Sequence, residues 1–196
     1  MKQQLRLIKN LIAKKKLQLQ ILCSQEINLI IGSSHTSYSN WIPSEQSNLD
    51  ISKHHQFQEV LNGKKIHRLL AEHVLEHIDL DDLQKALDNI HYFLVSGGSF
   101  RIAVPDGLHP DPSYIERVKI GCDDHKQLFN YQQLSKLLSN HGFKDNLIEY
   151  WDEQGEFHTT YQNHDGYGYI RRSFINDPRN PDGYPHYTSL IIDAIK

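Results

Sequence analysis

The sequence predicts an α/β fold of three layers, a mostly parallel sheet held between helices, and three observations carry that prediction. Two apolar strand-like stretches, Leu69 to Ala71 and Phe100 to Val104, flank a segment of helical periodicity. A chain that leaves one strand, crosses in a helix and returns to a parallel strand forms a right-handed βαβ unit. Both strand ends carry ionisable groups, Glu72, His73, Glu76 and His77 after the first and Asp106 after the second. Parallel sheets bind small ligands at such ends, so chemistry is expected there.

The crossover helix is justified residue by residue. Asp79 is placed to cap it, and Asp81 and Asp82 are favourable against the positive end of its dipole. Leu83, Leu87, Ile90 and Leu94 recur at helical spacing and give it one apolar face. The pair Gly97-Gly98 is expected to end the helix and turn the chain, because glycine takes left-handed conformations cheaply. Phe100, Ile102 and Val104 follow as a strand that Pro105 stops.

Ahead of it, residues 1–24 read as a basic amphipathic helix, and residues 25–196 as one domain. Lys2, Arg6, Lys9, Lys14, Lys15 and Lys16 stand in Met1 to Lys16 without an acidic residue, while Leu5, Ile8, Leu11 and Ile12 make an apolar stripe. A transit peptide, a membrane-surface helix and an RNA-contacting arm share this pattern. The reading taken is a helix whose stripe packs on its own domain.

At 196 residues, 21 basic against 24 acidic, the chain suits one domain with a sizeable core. Its near-neutral charge gives no global pull toward nucleic acid or an anionic membrane, and makes nucleic acid a disfavoured partner. Cys23 and Cys122 lack metal-type spacing and suggest reduced thiols in a cytoplasmic protein. No apolar run reaches the ~20 residues of a membrane span.

Several short motifs stand in a consistent order: Ile27 to Gly32, Trp41-Ile42 with Glu45, Leu75-Glu76-His77, Leu94-Val95-Ser96-Gly97-Gly98, Asp124-His125-Lys126 and His141-Gly142-Phe143. In these, residues 27–150 resemble the class I S-adenosylmethionine (SAM) dependent methyltransferases of the type 11 group. The resemblance implies a Rossmann-like sheet with a C-terminal antiparallel hairpin closed by Ser189 to Ala194. It also implies SAM as cofactor and methyl transfer to a small polar acceptor, with oxygen slightly favoured over nitrogen.

What the resemblance implies for the site can be placed on this sequence. Gly32 and Ser33 belong to the turn Gly32-Ser33-Ser34-His35 that would approach SAM, with one glycine where relatives usually carry two or three. Glu45 is assigned to the ribose hydroxyls and Asp50 to the adenine side, or the reverse, and Glu72 joins the cofactor set. About a dozen residues separate Gly32 from Glu45, so the first crossover is cut short. Small-RNA 2′-O-methyltransferases and quinone-biosynthesis O-methyltransferases look similar around Glu76, His77 and His125, which implies a divalent metal on those three residues; His73 stands where they carry a further glutamate.

His125 and His73 are the candidate bases, since imidazole titrates near pH ~6.5. Asp106, on a proline-stiffened loop, is expected to line the acceptor pocket; its other reading is a turn cap. Residues 151–187, rich in Tyr, His and Arg, read as an insertion between the last two strands, either a lid over the site or a homodimer surface. Two other functions share these features: a metal-assisted RNA methyltransferase, and a non-catalytic binding or assembly module on the same fold.

Overall fold

A computed structural model describes residues 2–34 and 36–196; Met1, and His35 of the turn after the first strand, lie outside them. Helices α1 (Lys2–Cys23), α2 (His54–Leu61), α3 (Leu80–Phe93), α4 (Pro112–Val118) and α5 (Tyr131–Asn140) alternate with strands β1 (Asn28–Ile31), β2 (Ile42–Pro43), β3 (Ile66–Glu72), β4 (Leu94–Pro105), β5 (Lys144–Trp151), β6 (Phe157–Thr159) and β7 (Ser189–Ile195). The seven strands form one sheet in the order β2-β1-β3-β4-β7-β5-β6. Pairing is parallel from β2 to β4 and antiparallel at β4–β7, β7–β5 and β5–β6. Strands β5 and β7 are thus the expected closing hairpin, and the chain between them adds β6 as a new edge.

Strand alternation decides which layer each residue serves. Leu29, Ile31, Leu69, Ala71, Phe100, Ile102 and Val104 point into the larger core, with Leu17 and Ile21 of α1, Phe57 of α2, Leu83, Leu87 and Ile90 of α3, and Leu134 and Leu138 of α5. Ile30, Leu70, Ala103 and Ile191 face the other way and meet Tyr161, Ile170, Tyr38 and Trp41. The third layer is therefore built largely by the irregular insertion rather than by helices. Gly168 lets it approach the sheet closely: at φ +119°, a side chain there would meet Trp41 and Leu70 within 3.4 Å.

Arg101 of β4 fastens that layer. Fully buried, it makes paired bonds to Asp193 of β7 (2.7 Å each) and to Asp165 of the insertion (3.1 and 2.7 Å), and donates to the Gly168 carbonyl at 2.7 Å. Burial penalises the guanidinium charge, but the two carboxylates outweigh that penalty and hold Arg101 above its ordinary value.

Three local expectations are corrected. Asp79 stands at the N-cap of α3 without a capping bond, because its carboxylate pairs with Lys126 at 2.6 Å. Helix α3 ends at Phe93, before the glycine pair, and Leu94 already belongs to β4. Gly97 and Gly98 sit in a bulge where a Cβ on Gly98 would lie 2.9 Å from the Val95 carbonyl, and both exchange backbone bonds with Lys196. The third concerns α1: Leu5, Ile8, Leu11 and Ile12 do not pack on the domain but are each more than half exposed, while Leu17 and Ile21 anchor the helix. Its last carbonyls are capped by Lys64 Nζ, 3.0 Å from Ile21 O and 2.7 Å from Leu22 O.

Candidate functional site

Where β1 and β3 end, two cavities meet. Gly32 ends β1 in a left-handed conformation, φ +59°, and a Cβ there would lie 2.7 Å from Val74 Cγ2. Only glycine leaves this junction open. On one side is a cavity of about 420 Å³ bounded by Gly32, Leu49, Asp50, Ile51, Ser52, His73, His77 and Asp79. On the other is one of about 250 Å³, bounded by Gly32, Ser33, Glu72, His73, Glu76, His77, Asp123, His125, Arg171 and Arg172. Ile31, Gly32, His73 and His77 line both.

Asp50 is held in the larger cavity by its own loop, Oδ1 accepting from Ser52 N (3.0 Å) and Ser52 Oγ (2.8 Å). Glu45 is on the other side of the Gly32 turn. Its carboxylate accepts from Ser33 Oγ at 2.7 Å, and it lines a separate cavity with Ser33 and Lys16 of α1. Of the two expected acids, only Asp50 shares a cavity with Gly32. Glu72 lines the smaller cavity and accepts from Arg172 N at 2.8 Å, tying the insertion to the end of β3.

The smaller cavity holds the nitrogen and oxygen donors. Glu76, Leu75 and His77 form a 3-10 turn after β3, and Glu76 is fully buried. His73 Nδ1 lies 3.0 Å from Glu76 Oε1 without hydrogen-bond alignment, and among the described residues neither carboxylate oxygen has a hydrogen-bond partner. A buried carboxylate is costly unless its oxygens are bonded, so a cation or donor placed here would satisfy the group. One donor atom each from Glu76, His77 and His125 lies within 4.8 Å of the others, and the two rings are 4.9 Å apart. Asp123 and Asp124, both at positive φ, deliver His125 inward. There its Nδ1 is 2.8 Å from the Val118 carbonyl, so that atom carries the proton and Nε2 is free to ligate or accept. His73, itself at φ +54°, bonds Ser189 Oγ through Nε2 at 3.0 Å.

Asp106, expected in the acceptor pocket, lines neither cavity. It is fully buried, and its carboxylate accepts from Leu108 N (2.9 Å) and Trp151 N (2.8 Å), the turn-capping role. Burial pushes it up to about 6, against those two bonds. Nearby Glu149 of β5 accepts from Phe174 N at 2.9 Å beneath the insertion, and burial pushes it to about 8. A carboxyl raised on folding contributes stability that is complete below its unfolded value and is lost as pH rises through its folded one. His109, pushed down to about 4 by burial, acts oppositely and only below its ordinary 6.5. Between pH 6.5 and 8 Glu149 therefore dominates, and stability is expected to fall by about 2 kcal/mol. Glu149→Gln removes that slope; a wild-type melting temperature unchanged over this range would contradict the assignment.

Sequence reasoning missed Lys126, Ser52 and Asp123 as cavity residues, and did not single out Arg171 and Arg172 from the aromatic segment as lining the site. Asp123 and Lys126 flank the Asp124-His125 pair, which was the available signal. Cys23 and Cys122 are unbridged. Among the described residues, no helix is long and apolar enough to cross a membrane.

No protein-family model matches the chain, and no curated protein matches it in sequence. Solved structures do. A proposed O-methyltransferase of Nostoc punctiforme PCC 73102 is 15% identical over 93% of this chain and 56% of its own, with a TM-score of 0.50. A SAM-dependent methyltransferase from Archaeoglobus fulgidus is 14% identical over 95% and 94% of the two chains, at 0.48. A SAM-dependent methyltransferase from Thermotoga maritima, described as a possible histamine N-methyltransferase, is 14% identical over 95% and 89%, at 0.49. The chain spans just over half the length of the Nostoc protein. With its parallel β2-β1-β3-β4 half and antiparallel β7 closing strand, this chain has a class I SAM-dependent methyltransferase-like fold.

Proposed function

We propose that this protein transfers a methyl group from SAM to a small polar acceptor. The observation that carries the reading is the pair of cavities joined at Gly32, His73 and His77, one for each reactant. The nucleoside belongs in the larger cavity, where Leu49 and Ile51 offer apolar surface and the Asp50 carboxylate accepts from a hydroxyl or amine. Gly32, which lines both cavities, would lie beside the sulfonium, with the acceptor held in the smaller cavity. A hydroxyl acceptor attacks that methyl in line: the carbon–sulfur bond breaks with its electrons going to sulfur, a carbon–oxygen bond forms, and the hydroxyl proton passes to an imidazole. His73 and His125 both face that space; oxygen is favoured over nitrogen because these bases suit a hydroxyl. Segment 151–187 acts as a lid, with Arg171 and Arg172 over the acceptor cavity.

A divalent cation fits the same cavity, on one carboxylate oxygen of Glu76 with His77 and Nε2 of His125. When bound, it would polarise the acceptor oxygen. In that case the base is His73 through Nδ1, 3.0 Å from Glu76 Oε1, since its Nε2 is engaged by Ser189 Oγ. Glu76→Gln, which removes the anionic ligand, is expected to abolish any rise in melting temperature with Mn²⁺ or Zn²⁺. A wild-type protein that shows no such rise, or a variant that keeps it, would remove the metal from the proposal.

The placement of the cofactor is tested by two substitutions. Asp50→Ala is expected to weaken binding of S-adenosylhomocysteine about tenfold, roughly one charged hydrogen bond, while Glu45→Ala leaves it unchanged. The reverse ordering would put the nucleoside on the α1 side of the Gly32 turn.

A further inference from the structure

Helix α1 carries two apolar faces, and only one is used. Leu17 and Ile21 are buried against the domain, and Gln18 Nε2 donates to the Glu59 carbonyl at 2.9 Å beside an ion pair of Lys14 with Glu59. Leu5, Ile8, Ile12, Leu19 and Leu22, with Leu11 beside them, fall within an arc of roughly 120° on the opposite side. All six are more than half exposed. Six large aliphatic side chains in one exposed stripe exceed the scattered apolar residues of an ordinary surface.

Charge says what covers this stripe. The helix holds six cations, Lys2, Arg6, Lys9, Lys14, Lys15 and Lys16, and no acidic residue, whereas the rest of the chain has 15 basic and 24 acidic residues. The stripe follows the spacing 5-8-12-15-19-22, so Lys15 lies in its middle. Two copies joined along it would press a lysine into an apolar seam between two helices of the same sign, which opposes self-association. An anionic bilayer meets every feature at once. The aliphatic stripe enters the headgroup boundary, Lys15 extends its ammonium back to the phosphates, and the exposed Lys9 and Lys16 flank the stripe at the charged surface.

We infer that the exposed face of α1 is a docking surface for an anionic phospholipid membrane, on which the protein lies peripherally. The inference is independent of the proposed methyl transfer. The test is flotation of the full chain with phosphatidylcholine vesicles, with and without phosphatidylserine, at low and high salt. Phosphatidylserine is expected to raise the bound fraction roughly tenfold, added salt to lower it, and the double substitution Ile8→Asp with Ile12→Asp to return it to the level on neutral vesicles. Both side chains are exposed, so the melting temperature should be unchanged; Lys9→Gln with Lys16→Gln gives a second reading that leaves the stripe intact. Equal binding to both vesicle types, no binding to either, or undiminished binding by both variants would overturn the inference. So would a wild-type dimer that the aspartate variant dissociates.

Discussion

Arg101→Met is expected to destabilise the protein by about 3–5 kcal/mol, the loss typical of removing one partner from a buried ion pair. The substitution nearly conserves volume, so the cost is electrostatic. Asp193, almost fully buried in β7, and Asp165 of the insertion lose their shared cation, and the Gly168 carbonyl loses a donor. Burial already holds Asp193 above the usual carboxylate range even with Arg101 beside it. Without the guanidinium it must take up a proton to remain buried, so the loss is larger at pH 8 than at pH 5. Adding Asp193→Leu should restore part of the stability, since an apolar pair can replace a buried ionic one. Urea unfolding of the single and double variants measures both effects. A loss below about 1 kcal/mol in Arg101→Met, the size of an exposed pair, would mean that the insertion is not fastened through this residue.

Gly32→Val is expected to cost at least about 100-fold in affinity for S-adenosylhomocysteine while the chain still folds. A β-branched residue at φ +59° is strained by about 1–2 kcal/mol, and its Cβ would lie within 2.7 Å of Val74 Cγ2. Beyond the strain, the position borders both cavities, so a larger side chain there leaves less room for a ligand that spans them. Calorimetric titration reads the affinity and thermal unfolding the fold. Wild-type affinity in a folded Gly32→Val protein would move the cofactor away from this turn.

The parts of the fold that were legible in the sequence are those set by local pattern. Leu83, Leu87 and Ile90 recur at helical spacing and reach the larger core from α3, and Phe100, Ile102 and Val104 alternate into the same core from β4. What was not legible depends on pairs far apart in the chain. Asp79 left its helix cap for Lys126, and Arg101 chose Asp165 and Asp193, neither readable from spacing. Periodicity likewise showed an apolar stripe on α1 but not which way it faces, because Leu17 and Ile21 form a second one that wins the contact with the domain.

The site divides in the same way. The turn at Gly32 and the grouping of Glu76, His77 and His125 follow from short motifs whose ends the sheet brings together. Glu45 and Asp50, five residues apart, were interchangeable in sequence; the Ser33 bond holds one on the α1 side and leaves the other in the larger cavity. Asp106 has the composition of a catalytic acid at a strand end, yet the amides of Leu108 and Trp151 occupy it.

Titration of the purified wild-type protein with SAM and with S-adenosylhomocysteine, before and after chelation, tests the cofactor site most directly. Binding of both with Kd on the order of micromolar, weakened in Asp50→Ala and retained in Glu45→Ala, is the predicted result. Absence of binding of either compound, with or without chelation, would contradict it and leave a methyltransferase-like fold whose cavities serve another ligand.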